Sequence, residues 1–237
     1  MLILAIESSA SPASAAVLED DKLLGEVFLN TKQTHSQTLL PMVRDLMDSL
    51  GKTCTDFDVM AVTSGPGSFT GVRIGVSCVK GLAMPNNTPC CGISTLEAIA
   101  VPGRTYENCV ICAVMDARCG QVYNALFQVT DGKLCRLTTD RALSIAELSK
   151  ECEPYGDRLI LFGDGAELYF ADFQTRGARL APLELRFQRA SSVALLALES
   201  AKAGKTVTAQ VLMPSYLRLP QAERELRKKR EKGEEQT

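Results

Sequence analysis

Apolar runs separated by turn residues occur twice along the chain in the same order. The first set is Leu2-Ile-Leu-Ala-Ile-Glu7, a turn of small residues, Ser14-Ala-Ala-Val-Leu18, a turn at Asp20-Asp21, and an apolar segment over 23–29. The second is Val110-Ile-Cys-Ala-Val-Met-Asp116, a turn through Gly120, a segment over 122–129, a turn at Asp131-Gly132, and a run over 134–137. Each set predicts strand, acid, turn, strand, tight turn, strand, followed by a helix-like segment. A further apolar strand comes later in each half, at 59–63 and at 159–162, the second just before Gly163-Asp-Gly165. The repetition predicts a duplicated α/β domain with its boundary near residues 102–108.

Helical spacing marks four other segments. Over 36–50 the apolar positions are Leu39, Leu40, Met42, Val43, Leu46, Met47 and Leu50. They cover more than one narrow stripe, so part of this helix faces something besides its own sheet. Pro41 is tolerated only near the first turn. A short helix is expected over 95–101. A better one runs over 191–202, with Gly204 as its C-cap, and is expected to pack on the second sheet. The fourth, over 70–84, is rich in small residues.

That fourth helix follows Ser64-Gly-Pro-Gly-Ser-Phe-Thr-Gly-Val-Arg-Ile-Gly75, which itself follows the strand at 59–63. Strand, glycine turn, helix is the layout that aims backbone N–H groups at an anion. Gly65 and Gly67 allow positive φ, and Pro66 fixes the turn between them. The stretch lacks the Lys-Ser/Thr ending of a Walker A loop and does not fit Gly-x-Gly-x-x-Gly. A phosphate loop and a ligand-free tight turn therefore both stay open. Glycine inside a helix costs up to about 1 kcal/mol against alanine. Gly71, Gly75 and Gly81 thus ask for a close neighbour, either the helix's own sheet or a partner's helix.

Composition narrows the classes. The chain has 237 residues, 46% of them hydrophobic, enough for two modest domains. A net charge of −2 argues against a generally basic nucleic-acid binder. No apolar run approaches the roughly 18 residues of a membrane span. The first residues are apolar, but there is no basic n-region and an acid follows at Glu7, which reads as a first strand and not a signal peptide. A soluble cytoplasmic protein is expected. The nine cysteines are scattered, mostly in apolar runs, and are expected to be reduced small hydrophobes. Cys109 and Cys112 lie three apart on a strand, so their sulfurs diverge. The segment 221–237 has six Lys/Arg and five Asp/Glu, with Glu223/Arg227 and Glu225/Lys229 at helix spacing. It reads as a solvated helix or, through 224–230, as a basic contact for RNA or a partner.

Several blocks occur in a telling order. They are Ala5-Ile-Glu-Ser-Ser9, Thr34-His-Ser36 leading to Leu40-Pro41, the loop from Gly65 to Gly75, and Gly92-Ile-Ser-Thr-Leu96. Met115-Asp-Ala-Arg118, Gln121-Val-Tyr123 and Tyr216-Leu-Arg218 follow. Together they resemble the bacterial TsaB family, also called YeaZ, over nearly the whole chain up to Leu219. The resemblance implies an α/β fold of actin-like ATPase (ASKHA) architecture, two RNase H-like domains with mixed sheets. The domains are expected over 1–104 and 105–219, with a charged tail over 220–237. It implies work in making N6-threonylcarbamoyladenosine next to the anticodon of tRNAs that read codons beginning with A. The chain would be the non-catalytic partner that the homologous TsaD needs. TsaE, a small ATPase, joins them, tRNA is met through the complex, and a homodimer forms when TsaD is absent.

The chemistry of the residues agrees with a non-catalytic role. The catalytic homologue holds a metal with two histidines four apart on a helix. The matching stretch here is Thr95-Leu-Glu-Ala-Ile99, and a hydroxyl and a butyl group cannot replace two imidazoles. His35 is the one histidine of the chain and reads as a capping or surface group. No metal site and no cofactor are expected, and a metallopeptidase finds no machinery. The resemblance places a degenerate nucleotide cleft at Glu7, Ser8, Asp116 and Arg118. Glu7 is expected to intrude on it, and Arg118 either keeps anion affinity or pairs with Asp116 or Glu7. The helices at 36–50 and 70–84 are the expected docking face. Leu39, Leu40, Val43, Met47, Val72, Ile74, Val76 and Val79 are candidate contacts, and Gly65, Pro66, Gly67, Gly71, Arg73 and Gly75 shape the loop. The rival reading is a stand-alone ATPase or phosphotransferase holding Mg–ATP between Glu7 and Asp116. A weaker one is an RNA-binding module working through the tail.

Overall fold

Two mixed sheets carry the molecule, and they repeat one strand order. The computed structural model describes residues 1–218 except Lys32 and Thr175. The charged tail, with the helix and the basic contact expected of it, lies outside the described residues. The first unit contains β1 (Leu2–Glu7), β2 (Ala13–Glu19), β3 (Lys22–Leu29), α1 (His35–Ser49), β4 (Val59–Gly65), α2 (Phe69–Ala83), β5 (Cys90–Ser94) and α3 (Thr95–Ala100). The second contains β6 (Val110–Asp116), β7 (Gln121–Thr130), β8 (Lys133–Arg136), β9 (Arg141–Ser144), α4 (Ile145–Cys152), β10 (Leu159–Phe162), α5 (Asp164–Tyr169), α6 (Ala171–Gln174), β11 (Arg179–Leu180), α7 (Leu183–Arg186) and α8 (Ala190–Lys202).

The first sheet runs β3-β2-β1-β4-β5 and the second β8-β7-β6-β10-β11, with β9 added beside β7. In each, the first three strands form an antiparallel meander and the last two join in parallel, β4 and β5 in the first sheet, β10 and β11 in the second, while β9 pairs antiparallel with β7. The duplicated plan read from the sequence is therefore real at the level of strand order.

β1 shows why the first sheet must be covered twice. Leu4 and Ile6 point into a core with α1 and α2, while Ile3 and Ala5 point into a second core with α8. All four are fully buried, as a strand apolar on both faces requires. The second sheet is covered by α3 on one face, through Leu96 and Ile99 on Ile111 and Phe127. On its other face Leu148 of α4 and Phe173 of α6 meet Val110 and Val114.

The expected placement of the 191–202 helix is corrected here. α8 packs on the first sheet, not the second, and α3 crosses the other way. The expected domains 1–104 and 105–219 thus exchange a helix each. Polar contacts explain the destination of α8. It has no side-chain cap of its own. The first unit caps it instead: Ala190 N–H donates to Ser14 Oγ at 2.8 Å, and Ser191 N–H donates to Glu26 Oε1 at 3.0 Å. A carboxylate there also suits the helix dipole. Pro41 sits in the second turn of α1, not the first, on the exposed side of the helix.

Candidate functional site

The glycine loop is built by close approach of three chain segments. Gly65 has φ +125, and a side chain there would run into the Ser215 carbonyl. Ser68 caps α2, accepting from Gly71 N–H at 3.3 Å, and its own N–H donates to the Ser9 carbonyl at 2.6 Å. Gly71 and Gly75 lie against the carbonyl and hydroxyl of Ser8, where a Cβ would overlap both. These two helix glycines therefore serve the approach of α2 to the end of β1. Gly81 has nothing within 4 Å and faces outward.

Between the two units lies a cleft of about 460 Å³, bordered by Ser9, Ser68, Asp116, Arg118, Asp164 and Tyr216. Asp116, at the end of β6, accepts from Arg118 N–H at 2.8 Å and from Tyr169 Oη–H at 3.0 Å. Arg118 has φ +63 and is exposed. Its tie to Asp116 is made by its backbone, so the expected guanidinium pairing with Asp116 or Glu7 is replaced by this turn.

Glu7 does not project into the cleft as expected. It is fully buried beneath it. Its Oε1 accepts from Ser9 N–H at 2.8 Å, from the Ser9 hydroxyl, and from the Thr63 hydroxyl at 3.2 Å. Burial pushes its carboxyl up to about 7 against those hydrogen bonds. Ser8 is also buried and donates to the Gly71 carbonyl at 3.0 Å, away from the cleft. Of the four expected cleft residues, Asp116 and Arg118 border it and Glu7 and Ser8 do not.

A further acid of the second unit reaches the cleft beside Asp116: Asp164, raised to about 7 chiefly by burial. The sequence presented it inside a Gly-Asp-Gly turn after a strand, which was the available signal. Arg218, which donates to the Ala117 carbonyl at 2.7 Å, arrives from the far end of the chain.

A second concavity, about 820 Å³, opens outward between α1 and α2. Its walls include His35, Leu40, Phe69, Ile74, Cys78 and Leu82, with Ser77 and Gly81 giving it depth. The expected contact list is corrected by it. Leu39, Val43, Met47, Val72, Val76 and Val79 are buried in the core under the first sheet. They hold α1 and α2 down, and of the six only Leu39, 1% exposed, touches the floor of the groove. Leu40, 54% exposed, and the half-buried Ile74 remain on the groove. His35 Nε2 donates to the Ala10 carbonyl at 2.7 Å, fixing the start of α1 to the turn after β1. Thr95 and Ile99 of α3 are fully buried. All nine cysteines are free; five are buried, while Cys119 and Cys135 are exposed, unlike the expectation of core use.

Two RNase H-like sheets of matching order around a cleft define the actin-like ATPase class. Comparison with known proteins narrows this. A family model described as TsaD, tRNA N6-adenosine threonylcarbamoyltransferase, matches residues 22–226. The tRNA threonylcarbamoyladenosine biosynthesis protein TsaB of Bacillus subtilis is 34% identical, the match covering 94% of this chain and 96% of the relative. The Escherichia coli protein of the same name is 31% identical over 92% of this chain and 95% of its own. YeaZ from Pseudomonas aeruginosa superposes with a TM-score of 0.74 at 28% identity, covering 91% of this chain and 99% of that one. The chain belongs to the TsaB family.

Proposed function

We propose that this chain is the non-catalytic subunit of a tRNA N6-threonylcarbamoyladenosine synthase. It binds the homologous TsaD subunit and activates it for threonylcarbamoyl transfer to the adenosine next to the anticodon. The observation that carries this is the outward-facing apolar groove between α1 and α2, where Leu40 stands 54% exposed beside Ile74 and Leu82. An exposed apolar concavity between two adjacent helices fits a helix pair of similar shape. A homologous subunit offers that shape, and so does a second copy, which accounts for a homodimer in the absence of TsaD. TsaE joins this pair, tRNA is met through the complex, and the setting is cytoplasmic.

The rival reading, a stand-alone ATPase, draws support from the two cleft carboxylates, Asp116 and Asp164. It is disfavoured by Glu7, which is spent on Ser9 and Thr63. Reconstitution decides between them. TsaD supplied with threonylcarbamoyl-AMP and TsaE should modify tRNA only when this chain is added. Equal modification without it, or ATP turnover by the isolated chain, would reverse the assignment.

A further inference from the structure

Arg73 is an exposed residue bordering the groove between α1 and α2, and two aromatic rings hold its guanidinium in place. The guanidinium carbon lies 4.0 Å from the Phe69 ring centroid and 5.7 Å from that of Tyr216, and the two rings stack on each other. Nε donates to the Tyr216 phenolic oxygen at 2.8 Å. That bond uses one edge of the fork. Among the described residues, Nη1 and Nη2 meet no carboxylate and no other acceptor. An arginine clamped in this way has lost much of its rotamer freedom before anything binds, so a contact made by it costs little further ordering.

The groove beside it supplies no counter-charge. α2 has no acidic residue from Phe69 to Ala83, and no side chain lining the groove is a carboxylate. Asp45 and Asp48 of α1 lie outside the lining, and Asp45 is paired with Arg44 at 3.0 Å. The other basic groups of this face are committed. Lys80 Nζ donates to the Gln210 and Leu212 carbonyls, and His35 Nε2 donates to the Ala10 carbonyl. The face therefore combines an apolar concavity with a positioned, unpaired guanidinium. A nucleic-acid backbone would ask for several free cations along a polar surface. A lone carboxylate on an apolar helix face needs only the open end of one fork.

We propose that Arg73 selects the partner that docks in this groove, by receiving a carboxylate carried on the apolar helix pair of the TsaD subunit through Nη1 and Nη2. The inference rests on the role proposed above and adds what the partner's surface must carry. It also separates that partner from a second copy of this chain. Two copies meeting groove to groove bring an Arg73 from each side and no carboxylate in either lining. A guanidinium buried without a partner is costly, so the homodimer is the weaker assembly.

The test measures two assemblies of the full chain, one with TsaD and one with itself, in the parent and in Arg73→Met. Methionine keeps an unbranched stem beside Phe69 and removes the charge. Affinity for TsaD should fall by about tenfold or more. Self-association, followed by sedimentation, should strengthen by about tenfold. A variant that merely folded badly would weaken both, so the opposite signs separate partner selection from a structural role. Tyr216→Phe, which keeps the guanidinium and removes the acceptor of its Nε, should bind TsaD within about threefold of the parent and gain no self-association. An Arg73→Met chain that binds TsaD within about threefold of the parent, or that loses both assemblies together, would overturn the inference. So would tRNA retention by the isolated chain that disappears in Arg73→Met, since the guanidinium would then serve a phosphate. Failure of the parent itself to bind TsaD would overturn the proposed function, and the inference with it.

Discussion

Arg73 donates from Nε to the phenolic oxygen of Tyr216 at 2.8 Å, joining α2 to a residue 143 positions later in the chain. The same guanidinium lies 4.0 Å over the ring of Phe69, which stacks on Tyr216 with centroids 4.8 Å apart. This cluster fastens a strap, residues 205–218, that leaves α8 and runs back along α2. Lys80 Nζ holds the strap at the Gln210 and Leu212 carbonyls, and Ser215 N–H donates to the Ser64 carbonyl at 2.6 Å. The strap thereby closes one wall of the glycine loop, which is why Gly65 cannot carry a side chain.

Tyr216→Ala should destabilise the protein by about 1–2 kcal/mol, the sum of a lost aromatic pair and a lost hydrogen bond at a partly exposed site. Tyr216→Phe should cost less than about 1 kcal/mol, since the stack remains. Urea unfolding measures the difference, and hydrogen exchange should show faster opening confined to the strap. Equal stability of Tyr216→Ala and the parent would mean that the cluster holds nothing.

The helix glycines of α2 should separate by sign. Gly75→Ala drives a methyl into the Ser8 hydroxyl and should cost about 1–3 kcal/mol. Gly81→Ala meets open space and should gain up to about 1 kcal/mol from helix propensity. Thermal unfolding of the two variants side by side is the measurement. A stabilised Gly75→Ala would contradict the packing of α2 on the end of β1.

Stability should also depend on pH in a direction fixed by the two raised carboxyls. Glu7 and Asp164 reach about 7 in the folded chain, well above their ordinary values. Between about pH 4 and 7 the native state therefore holds more protons than the unfolded state, and stability falls as pH rises. Above 7 that loss is complete; below 4 it is absent. Asp164→Asn removes its share and should be more stable than the parent at pH 8 by about 1–3 kcal/mol, with little difference at pH 4. Urea midpoints at the two pH values check this, and parallel pH profiles for both proteins would exclude it.

The sequence made the centre of each sheet plain and the rim obscure, for physical reasons. β1, β4, β6 and β10 are buried on both faces, so they read as unbroken apolar runs. β5 hid because Cys-Cys-Gly-Ile-Ser has neither length nor alternation, and β11 is two residues long. α4 escaped notice although its Ser144/Glu147 capping box was present. Periodicity could say that 191–202 is a helix but not which sheet it covers. That choice rests on Glu26 and Ser14, more than 160 residues away. At the cleft, Asp116 was visible as an acid ending a strand, whereas Asp164 and Arg218 depend on how the two halves meet. Along α1 the apolar band was too broad for spacing to tell Leu40 from Leu39.

That last distinction fixes how the docking groove should be tested. A charge at Val76 would enter the core, since Val76 is only 3% exposed, and the resulting loss of binding would report unfolding. Leu40→Glu and Ser77→Arg instead put charge on the walls of the groove, at exposed positions. Away from the core such changes alter stability by about 0.5 kcal/mol or less. At the centre of an apolar interface an unpaired charge costs about 2–4 kcal/mol of binding, a 30-fold to 1,000-fold weakening. Both variants should therefore melt like the parent, fail to co-elute with TsaD, and support little tRNA modification. Their free forms should also lose any self-association. A Leu40→Glu protein that binds TsaD with parental affinity would move the docking face away from α1 and α2, and with it the proposed role of the groove.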